Sequence, residues 1–270
     1  MSNAVMPLSD YVDVCDKIRK KTNSTDKIKS GDLAAKVDEV YEAGKASGGG
    51  DSYYDEFWDE YQANGNRTIC DSMFAGNSWN SNTFKPKYTI KPARAQHMFL
   101  LTSISGDLVE LCEKQGITLD FSNCTLFNNL MVNAMGITRI GVIDARKQTD
   151  SGGMFNNMRS LVTFDKYIVS ETTPYYSYAF QNAEKLENLT VEGVIAQNNF
   201  NVQWSTKLSK SSIKSIINCL STTTSGLTVT LSRIAIDNAF ETSSGLADGS
   251  TSQEWLNLVA TKTNWTISLV

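Results

Sequence analysis

The 270-residue chain holds one histidine, His97, and four prolines, and its five cysteines (Cys15, Cys70, Cys112, Cys124 and Cys219) include no C-x-x-C pair. Cysteines odd in number and far apart support neither a disulfide framework nor a structural zinc site, so they are read as small buried thiols. A catalytic triad would have to use His97, yet no Ser or Cys motif lies near it and no G-x-S-x-G elbow is present. His97 is therefore assigned to a corner of the fold beside Met98-Phe99. Phosphate-binding loops, G-x-G-x-x-G and EF-hand loops are missing as well, so no cofactor and no metal are expected. Positive charge is not in excess: 25 Lys+Arg stand against 29 Asp+Glu, a net charge of −4. That balance argues against sequence-independent binding of nucleic acid. No apolar run approaches the roughly 18–20 residues that span a bilayer, so no membrane insertion is expected. The start, MSNAVMPLSDY, has neither a basic n-region nor an apolar h-region, and no secretory signal is expected.

What is present suits a packed domain. At 41% hydrophobic and 10% aromatic the chain can bury a core, which excludes wholesale disorder. Its 22 asparagines suit tight turns and repeated hydrogen-bonding corners. Composition points to binding or structure before chemistry.

Two short helical patterns come first. Ser9-Asp10 can cap a helix with Val14, Cys15 and Ile18 on its apolar side, and the basic run Arg19-Lys20-Lys21 suits its last turn. A second stripe, Leu33, Ala34, Val37, Val40 and Tyr41, also has helical period. Residues 1–46 are thus expected to form a helical hairpin. So small a unit rarely stands alone, which makes Val14, Ile18, Leu33, Val37, Val40 and Tyr41 candidates for attachment or oligomerisation. Residues 47–50, Ser-Gly-Gly-Gly, read as a flexible linker.

Residues 51–70 are expected to hold an amphipathic helix. Tyr53, Tyr54, Phe57, Trp58 and Tyr61 share one side, Asp55, Glu56, Asp59 and Glu60 the other, and Gly65 is placed to stop it. The helix is read as a lid over the exposed end of the following core, with a partner-docking role as the alternative.

From Asp71 the sequence repeats itself. The anchors are Met73-Phe74, Met98-Phe99, Met131-Val132, Met154-Phe155 and Ala179-Phe180. Five or six positions beyond each second anchor stand Trp79, Ile104, Ile137, Leu161 and Leu186, and the last three are followed by Ile140, Phe164 and Leu189. In the third unit Phe127 is an alternative anchor, and Val132 is preferred for the offsets of Ile137 and Ile140. That long unit absorbs an insertion: a short helix in 107–116 and an alternating strand in 117–121. A period of this length with one strand and one apolar corner per unit belongs to the leucine-rich-repeat class of solenoid, in which stacked neighbours bury what one unit cannot. Beyond it, Ile213, Ile216, Ile217 and Leu220 mark a helix, Leu227–Leu231 a strand, 245–252 a loop, Gln253–Val259 a helix and Trp265–Leu269 a last strand. A helix and hairpin closing the final unit would shield its edge. The expected fold is therefore an α/β repeat: a leucine-rich-repeat-like solenoid with a parallel β-sheet over 71–208, preceded by the helical hairpin and closed by an α/β cap over 209–270.

The units YAFQNAEKLENLTV and GGMFNNMRSLVTF resemble bacterial BspA-like leucine-rich repeats, which carry an Ala-Phe or Met-Phe pair before a polar, Leu-spaced stretch. Most units here lack the Cys after the Phe and the Pro of the strand, and the third has Val132 for Phe. The helical start, the YDEFWDEYQ helix and the repeats together look like proteins encoded in phages and prophages of gut Gram-positive bacteria. That resemblance implies a virion appendage, a tail, baseplate or fibre component made in the bacterial cytoplasm. The implied partners are other virion proteins, further copies of the chain, and a host cell-surface glycan or protein.

Candidate binding residues follow from the repeat. Residues between apolar strand positions point outward: Arg139 and Gly141, Asp165 and Lys166, Asn188 and Thr190. Tyr175, Tyr176 and Tyr178 cluster before the fifth anchor, and aromatic rings among polar groups grip sugars or proteins at low entropy cost. A solvated strand face and tyrosines packed beneath the next unit are the structural alternatives. The ligand-binding candidates are Tyr175, Tyr176, Tyr178, Arg139, Asp165 and Lys166. Paired acids at Asp55/Glu56 and Asp59/Glu60 read as a solvated helix face, whereas Asp144, Asp165, Glu187 and Glu192 lie in or beside predicted strands, where a polysaccharide-degrading enzyme would need its carboxylates. The expectation is a non-enzymatic virion adhesion protein. A bacterial repeat adhesin or scaffold outside a virion, and a polysaccharide-degrading appendage, are the alternatives.

Overall fold

The described residues of the computed structural model are 50–65, 67–150, 152–174, 178–240 and 252–270. The predicted hairpin with Val14, Ile18, Leu33, Val37, Val40 and Tyr41 lies outside them, as do Tyr175 and Tyr176. The chain divides into two compact units, residues 1–60 and 61–270. Among the described residues no helix is long and apolar enough to cross a membrane.

Helix α1 (Gly50–Ala63) takes in the last glycine of the predicted linker and ends just before Gly65. Gly65, at φ +69°, ends it with its N–H on Gln62 O at 2.9 Å, a left-handed stop that glycine adopts without strain. Tyr54, Trp58 and Tyr61 are buried while Asp55, Glu56, Asp59 and Glu60 are exposed, the two sides of a 3.6-residue period.

From Cys70 onward, successive passes of the chain run parallel and hydrogen-bond to one another. Phe74 N–H donates to Met98 O (2.7 Å), Phe99 N–H to Leu130 O (2.8 Å), Met131 N–H to Met154 O (2.8 Å) and Phe155 N–H to Ala179 O (3.1 Å). This register aligns Phe74, Phe99, Met131, Phe155 and Phe180, none more than 1% exposed. Each buried Phe stabilises the core by about 1.5–3 kcal/mol. The rings meet from pass to pass: Phe155–Phe180 are stacked at 5.3 Å, and Phe74–Phe99 (5.2 Å) and Phe180–Phe200 (6.1 Å) are tilted against each other.

The third aligned position is Met131, which corrects the expected anchor Val132. Val132 is half-exposed, and the backbone explains the shift. Asn129 (φ +53°) and Asn133 (φ +58°) bracket Met131 as His97 (φ +57°) and Leu101 (φ +55°) bracket Phe99. Left-handed backbone costs most L-residues about 1–2 kcal/mol and asparagine least, so asparagine collects at these corners. Their side chains also connect the passes: Asn157 Nδ2 donates to Asn133 Oδ1 at 2.5 Å, and Asn182 Nδ2 to Asn157 Oδ1 at 3.4 Å.

Nine positions past the aligned residues, Ile140, Phe164 and Leu189 pair across a parallel sheet. Its strands are β1 (Gly106–Asp107), β2 (Ile137–Asp144), β3 (Thr163–Val169) and β4 (Asn188–Gly193), in that order. Helix α2 (Leu108–Glu113) is the expected insertion helix, capped by Asp107 Oδ1, which accepts from Val109 N–H (2.9 Å) and Glu110 N–H (3.0 Å). The expected strand over 117–121 does not form; Leu119 makes one parallel bridge, to Ile90. Two residues past Ile90 on that ladder stands Pro92, whose missing N–H cannot carry the pairing on.

Helix α3 (Lys210–Cys219), N-capped by Ser209, stands where a further strand would pair with β4. Ser212 Oγ accepts Leu189 N–H (2.9 Å) and donates to Glu187 O (3.1 Å). Ser215 Oγ accepts Val191 N–H (3.2 Å) and shares its proton between Ser212 O of its own helix (2.9 Å) and Leu189 O (3.1 Å), and Cys219 Sγ donates to Val191 O (3.2 Å). Side chains of one helix thus satisfy the backbone edge of the sheet.

Parallel pairing then resumes in a second sheet, β5 (Phe200–Asn201), β6 (Leu227–Leu231) and β7 (Trp265–Leu269). The expected closing hairpin is not formed: β6 and β7 are parallel, and parallel strands need a crossover. Helix α4 (Arg233–Phe240), not among the expected elements, and α5 (Gln253–Ala260) lie on that crossover. Lys262, 6% exposed, sends its ammonium to Asn218 O (3.1 Å) and Leu220 O at the C-terminal end of α3, where the helix dipole favours a cation. Burial pulls its pKa below the ordinary lysine value.

Candidate functional site

The parallel register of β1–β4 sets side chains of one strand beside those of the next at a spacing of about 4.8 Å. On the outward face this lines up opposite charges. Arg139 of β2 reaches β3 with two parallel bonds, Nε to Asp165 Oδ1 and Nη2 to Asp165 Oδ2, both 2.8 Å. Its Nη1 contacts Asp107 Oδ2 of β1 at 3.3 Å. The bond from Asp165 does most to hold the guanidinium pKa above its ordinary value; desolvation opposes it, and Asp107 adds a lesser upward push. Lys166 of β3 pairs with Glu192 of β4 at 2.7 Å. Three candidate residues, Arg139, Asp165 and Lys166, are therefore brought onto one face, and each is engaged by a neighbouring strand. Val142, opposite Lys166 in the ladder, stands 46% exposed among them.

Tyr178 is not on that face. It lies in the turn two residues before Phe180, 47% exposed, with its ring 6.1 Å from that of Trp204. Tyr175 and Tyr176 fall outside the described residues, so of the tyrosine cluster only Tyr178 is placed. His97 sits at a left-handed corner with Nε2 3.3 Å from Asn129 Nδ2. Asp144, at the end of β2, takes a two-point contact from Arg146, Nε to Oδ1 at 2.9 Å and Nη2 to Oδ2 at 2.7 Å. Hydrogen bonding to Arg146 holds its carboxyl below the usual range.

Just past the C-terminal ends of β2 and β3 lies a shallow, wide-open groove of about 640 Å³, bordered by Thr125, Arg146, Lys147, Gln148, Thr149, Thr172 and Pro174. No family model, curated protein or solved structure matches this chain. The groove's chemistry must therefore be read from its own residues. Lys147 Nζ donates to Asn123 Oδ1 at 2.7 Å, and the hydroxyls of Thr149 and Thr125 donate to backbone, Thr125 O (3.1 Å) and Ala93 O (3.2 Å) respectively. Sequence reasoning missed this site. The signal was the run Arg146-Lys147-Gln148-Thr149 directly after an apolar strand in an acidic chain.

Among the described residues, Cys70, Cys112, Cys124 and Cys219 are buried free thiols. Burial pushes Cys70 up to about 11 and Cys112 and Cys124 up to about 12, so these three are protonated and unreactive near neutrality. Among the described residues no group of three or more His, Cys, Asp or Glu is placed to hold a metal ion.

Proposed function

We propose that the chain is a non-enzymatic recognition protein built as a BspA-like, leucine-rich-repeat solenoid, and that it serves as a tail, baseplate or fibre component of a phage particle. Its outward strand face and the adjoining groove meet a host envelope glycan or protein. The observation that carries this reading is the ladder Phe74–Phe99–Met131–Phe155–Phe180: the same backbone contact recurs between successive passes, as stacked units require. Such stacking places side chains of equivalent positions in rows, and a row of polar groups on a rigid sheet is suited to an extended ligand. The degrading alternative gains nothing from Asp165, because both of its oxygens are held by Arg139.

The test is twofold. Labelled full-length chain should bind intact Gram-positive host cells and be displaced by extracted envelope polymer. Antibody raised against the chain should decorate purified phage particles. A chain that binds no envelope fraction defeats the recognition reading; particles free of the antigen remove the virion assignment.

A further inference from the structure

We propose that the groove past β2 and β3 binds an acidic sugar unit, a polyhydroxylated ring or chain bearing a carboxylate or phosphate. This deepens the recognition reading and rests on it. The lining combines three kinds of group. Arg146 and Lys147 supply cations, and no carboxylate is among the seven lining residues. Arg146 is fixed by its two bonds to Asp144 through Nε and Nη2, which leaves the protons of Nη1 for a ligand. Lys147 uses one donor on Asn123 and keeps two. Because Asp144 offsets Arg146, Lys147 carries the net positive charge of the site.

The threonines supply the opposite chemistry. Thr125 and Thr149 spend their protons on backbone carbonyls, so their oxygens are left as acceptors for sugar hydroxyls. Gln148, 4% exposed, turns its Nε2 to Asp150 O and keeps its Oε1 buried, so it offers a ligand no accessible acceptor. Pro174 adds a flat apolar patch of the kind a sugar's C–H face covers. Cations for an acid, acceptors for hydroxyls and an apolar platform together specify an acidic sugar better than a bare anion or a neutral glycan.

The experiment titrates full-length protein by calorimetry with a glucuronate-containing hexasaccharide, with poly(glycerol phosphate) and with neutral dextran. Binding of either acidic probe and not of dextran is expected; the first alone assigns a carboxylate source, the second alone a phosphate source. Lys147→Gln should weaken that binding at least tenfold, Lys147→Arg should restore it, and Lys214→Gln, which removes the same charge from helix α3, should leave it unchanged. The proposal is overturned if neither acidic probe binds, if dextran binds as well, or if Lys147→Gln and Lys214→Gln behave alike. Host-cell binding that survives Lys147→Gln sinks this proposal and leaves the recognition reading standing. Loss of all host-cell binding by a wild-type chain that still takes the acidic probe does the reverse.

Discussion

The contact between helix α3 and strand β4 yields the sharpest stability prediction. In Ser212→Ala, Leu189 N–H loses its acceptor, whereas Glu187 O keeps the N–H of Ser209 at 2.8 Å. One buried donor is left unmet, at a cost of about 1–3 kcal/mol. In Ser215→Ala Val191 N–H loses its acceptor and Leu189 O loses its share of a proton divided with Ser212 O, so the cost is at least that of one unmet group, about 1–3 kcal/mol. Helix propensity works the other way: alanine gains a few tenths of a kcal/mol over serine in a helix. Ser211, exposed on the same helix, isolates that term, and Ser211→Ala should stay within about 0.5 kcal/mol of the parent. The assay is urea unfolding at pH 7 with all three variants. Ser211→Ala should have the highest midpoint, and Ser212→Ala and Ser215→Ala both lower ones, with unchanged slopes. Hydrogen exchange of the peptide containing 188–193 should quicken in the last two variants. Equal midpoints for Ser215→Ala and Ser211→Ala would refute the idea that a helix completes the sheet through its side chains.

Three further outcomes follow from the core and its corners. Tyr167 is fully buried with no hydrogen-bond partner for its hydroxyl, so Tyr167→Phe should be neutral or stabilising by about 1 kcal/mol; a loss of stability would mean the hydroxyl is satisfied. Asn157 sits at φ +62°, so Asn157→Ala should be worse than Asn157→Gly by about 1 kcal/mol in thermal melts, and the reverse order would remove the backbone explanation. The folded state holds the thiol protons of Cys70, Cys112 and Cys124 to about 11–12, whereas an unfolded thiol releases its proton near 9. Stability is therefore whole below about pH 9 and falls as pH rises toward 11–12, by at most about 1.4 kcal/mol per thiol per pH unit. Cys219, Tyr61 and Tyr167, also raised by burial, add to that loss, and Lys262, with its pKa lowered, works in the opposite direction. Urea midpoints that stay level from pH 8 to 10.5 would contradict this sign.

How much of this was legible depended on which residue types carry information about register. Apolar period marked the strands β2, β3, β4, β6 and β7 and the helices α1, α3 and α5, because burial on one side is what those elements need. It could not choose between Leu130-Met131 and Met131-Val132, since all three side chains are apolar and a slip of one keeps the pattern. The asparagines could have chosen. Asn133, Asn157 and Asn182 all stand two residues after the aligned position, each at positive φ, and taking them as the register marker puts Ile137, Leu161 and Leu186 at one common offset. Prolines held similar information, for Pro92 forbids the pairing that a strand over 117–121 would require. The groove was hidden for a different reason. Arg146, Thr125 and Thr172 belong to three passes of the chain, and what makes them a site is the stacking, which is set by ladder hydrogen bonds between residues far apart in sequence. The ion pairs on the sheet were hidden likewise: Arg139, Asp165 and Lys166 read as outward residues, but that Asp165 closes on Arg139, and Lys166 on Glu192, follows from strand register alone. A residue's type tells what it could bind; the register decides whether the protein has already bound it.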